Sequence, residues 1–269
     1  PPSFLSGRFP PRETLVTTAR EGADRRLREL SLSLGVRRIW LEIREGRAAE
    51  QLAAVAAEYG ADLVVVGAHG ERTGLLKQLG STAERVARDA AVPVLLAREP
   101  LAAPARLLVA MDEAGITPGQ LAWTRALATR FSAEVTGIHV VSESLLGRLV
   151  SLAAIASGTI EPEIPSLGVG ELDDANVWMQ ELIAHGLDRA HTRGEVAYGD
   201  PAREICAAAE RLHSDLVVMA RHGAGGVRRA LLGSVTDRVL RSAPCAVLVV
   251  TEPGDDASSV REAVPRSAA

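Results

Sequence analysis

The chain has 269 residues, 47% hydrophobic and 24% charged, enough for one large or two modest packed domains and too apolar for wholesale disorder. Lys plus Arg number 30 against 34 Asp plus Glu, a net charge of −4, and aromatics are only 3%. General attraction to nucleic acid or anionic membrane and stacking platforms for single strands are therefore disfavoured.

The chain opens PPSFLSGRFPPR without a Met or an apolar core segment, so no secretory signal is expected. The two cysteines, Cys206 and Cys245, stand in apolar runs with no CxxC or His/Cys cluster. Neither a disulfide framework nor a zinc site is indicated, and small core residues in a reducing cytoplasm are the preferred reading. The longest apolar stretch, around Leu145 to Ala156, contains Gly147 and Arg148 and is too short for a bilayer.

Taken in order, residues 12–34 read as a helix, 37–43 as a strand, and Ala48 to Tyr59 as an Ala-rich helix. Asp62 to Gly67 reads as a strand buried on both faces. A glycine-rich loop follows, then a helix from Ser81, placed as its N-cap, and a second buried strand, Pro93 to Ala97. Glu99 to Pro104 is a linker. Beyond it come a strand from Ala105 to Asp112, a helix from Pro118 to Phe131 and a strand from Ala133 to Val141. An irregular insertion over 142–170 holds an amphipathic helix at Leu145 to Ala156; Glu171 to Leu187 is helical and Val196 to Tyr198 extended. The chain continues with a helix from Pro201 to Leu212, a strand from Asp215 to Ala220, a helix opened by Ser234, and a strand following Pro244. Alternating strands and helices predict a doubly wound parallel sheet.

This order contains one unit written twice. Gly46, Asp62, Leu63, His69, Gly70, Gly80, Ser81, Arg85 and Val86 recur as Gly199, Asp215, Leu216, His222, Gly223, Gly233, Ser234, Arg238 and Val239, always 153 residues later. The second unit is complete, with five strands over 105–252, and 253–269 reads as a mobile tail. Shifted back by 153, the Asp112 strand would fall before residue 1. The first unit, 12–98, therefore lacks its first strands, and the chain is expected to be an N-terminally shortened piece of a longer protein.

Gly67-Ala-His-Gly70, nine residues, then Gly80-Ser81 follows a buried strand and ends at a helix start. Ala220-Arg-His-Gly223 leads by the same spacing to Gly233-Ser234-Val235-Thr236. Glycines let backbone N–H groups approach a phosphate, and the helix N-terminus adds partial positive charge, so such a loop suits an anionic phosphoryl ligand. His69 and His222 share a loop position open to a general base. No Ser, Cys or carboxylate partner is fixed near either, so solvated loop histidines are preferred. Arg228 and Arg229 read equally as phosphate contacts and as a charged turn; Asp62 and Asp215 read as turn caps.

On these residues, together with Val109-Ala-Met-Asp112 and His139-Val-Val141, the chain resembles a tandem universal stress protein of the ATP-binding branch. The resemblance implies a Rossmann-like, adenine nucleotide alpha hydrolase-like α/β fold with strand order 3-2-1-4-5, and ATP, with or without Mg, as ligand. It implies that Asp112 meets the adenine or ribose and the backbone of Val140 the adenine edge. Met219, Ala220 and Gly223 would line the ribose and phosphate path, while Gly233, Ser234, Val235 and Thr236 hold phosphates. Gly67, Gly70, Gly80 and Ser81 are the counterparts in the first unit, half a pocket without an Asp.

Ala220 replaces the first motif glycine, which would weaken the second site if the backbone there had positive φ. The expected function is a cytoplasmic ATP-binding stress or regulatory protein with little or no turnover. Its two units would pair as an intramolecular pseudo-dimer through their last strands, with homo-oligomers, no nucleic acid and no membrane partner. The alternative is a regulatory appendage of a transporter or sensor kinase. An adenylating enzyme is less favoured, because the turn after the strand reads Asp112-Glu-Ala-Gly-Ile-Thr-Pro rather than Gly-rich, and an ATP-hydrolysing one because the sequence identifies no fixed base, nucleophile or acidic metal cluster.

Overall fold

The computed structural model describes residues 12–34, 38–70, 79–98, 103–112, 115–142, 180, 187, 191–222 and 232–252. The helices expected at Leu145 to Ala156 and Glu171 to Leu187, and the tail 253–269, lie outside the described residues, 180 and 187 excepted. Two compact units form, residues 1–47 and 48–269.

The first unit contains α1 (Arg12–Leu34) and a segment without regular secondary structure at 38–45. The helix covers the predicted span, but the strand expected over 37–43 does not form; residues 38–43 join no sheet. Local pattern favours a strand there, yet a strand exists only as a rung of a ladder, and no described residue supplies the neighbour its repeat counterpart has. Trp40 is accordingly 69% exposed.

The second unit runs α2 (Ala48–Tyr59), β1 (Val64–Gly67), α3 (Ser81–Asp89), β2 (Val94–Ala97), β3 (Arg106–Met111), α4 (Pro118–Phe131), β4 (Glu134–Val141), β5 (Thr192–Tyr198), α5 (Pro201–Arg211), β6 (Leu216–Ala220), α6 (Ser234–Ser242) and β7 (Ala246–Val250). One seven-stranded sheet has the order β1-β2-β7-β6-β3-β4-β5. The complete copy, β3 to β7, is parallel throughout and doubly wound, as its alternation of elements requires. The two final strands meet antiparallel, Val94 opposite Val249 and Leu96 opposite Val247, so the sheets of both copies fuse into one.

Helices α2, α3, α5 and α6 cover one face over Val94, Leu96, Leu108, Ile138, Val217 and Val247. The other face, with Val109, Val135, Val218 and Leu248, packs against α4. That helix is well started: Thr117 and Gln120 form a reciprocal capping box, and Pro118 fills the first turn.

The repeat holds in backbone detail. Val64 pairs with Val94 and Val217 with Val247, a spacing of 30 residues in both copies. The 153-residue shift therefore persists through β2 and β7, and Pro93 and Pro244 are not equivalent: Pro93 corresponds to Ala246. Gly46 and Gly199 share φ of 132° and 131°. Gly60 (φ 59°) corresponds to His213 (φ 49°), each just past a helix end. Ser81 and Ser234 are not caps. Gly80 and Gly233 take the N-cap conformation, because their N–H groups must donate to the carbonyls of Ala68 and Arg221, which fixes the helix start one residue earlier.

Candidate functional site

The parallel strands of the complete copy end side by side in the order β6-β3-β4, with connections leaving β3 in one direction and entering β6 from the other. Crevices in open α/β sheets form at such a reversal, outside the carboxyl ends. Asp112 is the first residue past β3, half-buried, with its carbonyl accepting from Gly115 N–H at 3.1 Å. β4 runs further than β3: Met111 pairs with His139, leaving Val140 and Val141 beyond the end of the β3–β4 ladder. The Val141 carbonyl accepts from Gly199 N–H on the β5 side, so alternation turns the Val140 carbonyl the opposite way, over the end of β3.

On the β6 side, Met219 is buried and pairs with Ala110. Ala220 ends the strand and is not among the positive-φ residues, so its methyl imposes no backbone strain; the condition for a weakened second site is not met. Arg221 N–H donates to Val250 and Gly233 N–H to Arg221, closing the loop base at both ends. A Cβ on Gly233 would approach the Arg221 carbonyl to 3.1 Å, so glycine is needed for close approach.

Helix α6 opens at Gly233 with no side-chain cap, and its first internal bond runs from Asp237 N–H to Gly233. The N–H groups of Ser234, Val235 and Thr236 thus have no intrahelical acceptor, the standing requirement for anion capture. Ser234 is exposed and Val235 half-buried against the core. Thr236 is buried, and its hydroxyl donates to the Ala220 carbonyl at 3.1 Å, tying the strand end to the helix. Gly223, Arg228 and Arg229 lie outside the described residues.

The first copy repeats this loop base: Ala68 N–H donates to Ala97, and Gly80 N–H to Ala68. Gly67 ends β1, Gly70 is exposed beyond it, and Ser81 begins α3. Nothing among the described residues stands where Asp112 and Val140 stand, because β1 is the last strand of the sheet.

Side chains with no distinguishing sequence signal also hold elements together: Arg98 and Arg221 brace the seam between the copies, and Glu252 acts within the complete copy. Arg98, after β2, donates to the Leu240 carbonyl and to His69 Nε2 at 3.0 Å; a guanidinium only donates, so the His69 nitrogen accepts. Arg221, buried, donates to the Ala90 carbonyl at the end of α3. Its repeat counterpart is Ala68, which is why the repeat carried no signal for it. Glu252 accepts from Thr117 Oγ1 and from Gly119 N–H, docking the end of β7 onto the start of α4.

The solvated reading fails for both loop histidines. His69 is held by Arg98, and His222 Nε2 is buried with no hydrogen-bond partner among the described residues. Asp215 ties strand starts together, accepting from Ala105 and Arg106 N–H at 2.9 Å. Both cysteines are free; burial pushes the Cys206 thiol up and that of Cys245 to about 11, leaving thiols rather than thiolates at neutral pH. Among the described residues no cluster of three or more His, Cys, Asp or Glu could hold a metal, and no helix is long and apolar enough to cross a membrane.

The profile of the universal stress protein family matches residues 4–98 and again 105–251. The chain belongs to the universal stress protein family. Among relatives, a universal stress protein of Methanocaldococcus jannaschii is 38% identical over 127 residues, covering 47% of this chain and 70% of that one. One of Bacillus subtilis is 29% identical over 150 residues, covering 54% and 97%. A crystal structure of a universal stress protein from Archaeoglobus fulgidus superposes with a TM-score of 0.64 over 91% of this chain and 84% of that one; at 19% identity the likeness concerns the fold. The universal stress protein profile spans both copies of the repeat, and among the described residues only the second copy brings three strand ends to a helix start.

Proposed function

We propose that the complete copy, residues 105–252, is an adenine-nucleotide-binding domain that takes ATP, with or without Mg, at the ends of β6, β3 and β4. The observation that carries this reading is the reversal of strand order at β3 facing the uncapped start of α6. In it the Asp112 carboxylate accepts ribose or adenine donors and the Val140 carbonyl takes the adenine amino group. Met219, Ala220 and Gly223 border the sugar, and the backbone from Gly233 to Thr236, with the Ser234 hydroxyl, meets phosphates.

The incomplete copy, 12–98, would contribute Gly67, Gly70, Gly80 and Ser81 without an adenine side, so we propose one nucleotide per chain. We assign the protein a regulatory role in the cytoplasm with little or no turnover. Supporting this are the engagement of His69 with Arg98 and two free, buried-side thiols of the kind a reducing compartment maintains. The antiparallel pairing of β2 with β7 supports an intramolecular pseudo-dimer of the two copies.

Calorimetric titration with ATP tests the reading. A hydrogen bond to a charged group contributes about 1.5 to 3 kcal/mol, so Asp112→Ala is expected to weaken binding roughly 10-fold to 150-fold. No measurable ATP affinity, unchanged binding in the variant, or two equivalent sites per chain would overturn it.

A further inference from the structure

Two helix starts flank the crevice at the carboxyl ends of β6 and β3, one from each face of the sheet. α6 packs through Val239 and Leu240 on one face, and α4 through Ala128 on the other. Either start could hold an anion, because the first N–H groups of any helix have no intrahelical acceptor. The two are finished in opposite ways.

At α4 every early donor is accounted for. Pro118 has no N–H, and the Gly119 N–H donates to Glu252 Oε2 at 3.1 Å. The Gln120 N–H goes to Thr117 Oγ1 at 3.3 Å and the Leu121 N–H to the Thr117 carbonyl at 2.9 Å. The Thr117 hydroxyl in turn donates to Glu252 Oε1, so one carboxylate takes both donors that point out of the helix start. The helix makes room for it: a Cβ on Gly119 would stand 2.7 Å from Glu252 Oε1 and 3.0 Å from Val250 Cγ1. Carboxylate and phosphoryl oxygens make the same demand on such donors, a negative charge carried on acceptor oxygens, so Glu252 stands where an anionic ligand would. α5 is capped as well, by Asp200 accepting from the Arg203 N–H. At α6 no side chain caps Gly233, and the first internal bond comes from Asp237.

We propose that Glu252 is a specificity-determining residue: a built-in anion that fills the start of α4, excludes phosphoryl groups from it and confines them to the start of α6. The exclusion at α4 stands on the Glu252 contacts alone, while its consequence at α6 rests on the nucleotide reading.

Backbone amide NMR of the full protein, titrated with inorganic phosphate and separately with ATP, tests both halves. In the wild type the Gly119 amide is expected to stay still while those of Ser234, Val235 and Thr236 move. In Glu252→Ala the Gly119 amide is expected to shift saturably with phosphate, with an affinity at least about tenfold above any in the wild type. Glu252→Gln keeps an oxygen for the Gly119 N–H and so preserves the junction; without the charge it is expected to give the same shift, at higher phosphate concentration than Glu252→Ala. A Gly119 amide that moves with phosphate in the wild type, or stays still in both variants, would overturn the proposal. Shifts of equal size scattered over unrelated surface amides would overturn it too. A Gly119 response in the variants with silence at Ser234 to Thr236 would support Glu252 as the occupant of α4 and refute the nucleotide reading.

Discussion

The helix ends at Gly60 and His213 offer a direct thermodynamic test of the repeat. Both residues adopt left-handed φ, 59° and 49°, at equivalent positions, and both neighbours close the helix alike: Ala61 N–H donates to Ala56 at 2.8 Å and Ser214 N–H to Ala209 at 2.8 Å. Glycine takes this conformation without a Cβ penalty, whereas another L-residue bears about 1 to 2 kcal/mol, with His near the low end. His213 is exposed, so replacing it sacrifices no packing.

Against the strain relieved, His213→Gly loses roughly 0.5 kcal/mol to the greater freedom of glycine in the unfolded chain, leaving a gain of about 0.5 to 1 kcal/mol. For a cooperative unit of about 200 residues that is a rise in Tm of about 1 to 4 °C. The reciprocal Gly60→His should lower stability by a similar amount. Differential scanning calorimetry and urea midpoints measure both. If His213→Gly destabilises the protein, or if both variants are neutral, the two helix ends do not share the backbone described and the argument from equivalence fails.

Other positions give equally definite expectations. Gly233→Ala, whose methyl would meet the Arg221 carbonyl at 3.1 Å, should lower the urea midpoint, whereas Gly80→Ala, at 3.6 Å from the Ala68 carbonyl, should leave it nearly unchanged. Arg221→Met keeps the buried stem but leaves the Ala90 carbonyl without its donor, at a cost of about 1.5 to 3 kcal/mol in equilibrium unfolding; an unchanged midpoint would refute the strut. Burial holds the Cys245 thiol protonated to about 11 against 9.0 ordinarily, so between those values the unfolded state binds fewer protons. Stability should then fall as pH rises, by at most about 1.4 kcal/mol per pH unit, and Cys245→Ala should abolish that share of the slope.

What the sequence made legible is what repetition and local chemistry encode together. The helix over 12–34 and the strand–loop–helix of each copy stand where apolar period and glycine punctuation put them. The strand expected at 37–43 does not form because Ile39, Trp40, Leu41 and Ile43 satisfy a local pattern whose ladder partner is a non-local fact. The caps lie one residue before the expected serines because propensity favours Ser, while the hydrogen bond to the Ala68 or Arg221 carbonyl recruits the preceding glycine. Arg98, Arg221 and Glu252 are not legible in the sequence since each acts on a carbonyl or N–H far along the chain: Arg98 on Leu240, Arg221 on Ala90 and Glu252 on Gly119.

The two copies separate what the glycine motif does for folding from what it can do for a ligand. In both, the residue after the strand, Ala68 or Arg221, receives the N–H of the pre-helix glycine and so sets where α3 or α6 begins. That start decides packing: Ala83, Val86 and Ala87 of α3, and Val239 and Leu240 of α6, enter one shared core at 3% exposure or less. Half of the motif is thus accounted for by helix placement alone, in a copy where no strand flanks β1 on its outer side among the described residues. The proposed ligand chemistry needs, in addition, the ends of β3 and β4 beside the same loop, where Asp112 and the carbonyl of Val140 accompany a helix start with unmatched donors. The spacing of glycines marks the scaffold, and in the proposed reading the strand beside it decides whether that scaffold holds a nucleotide.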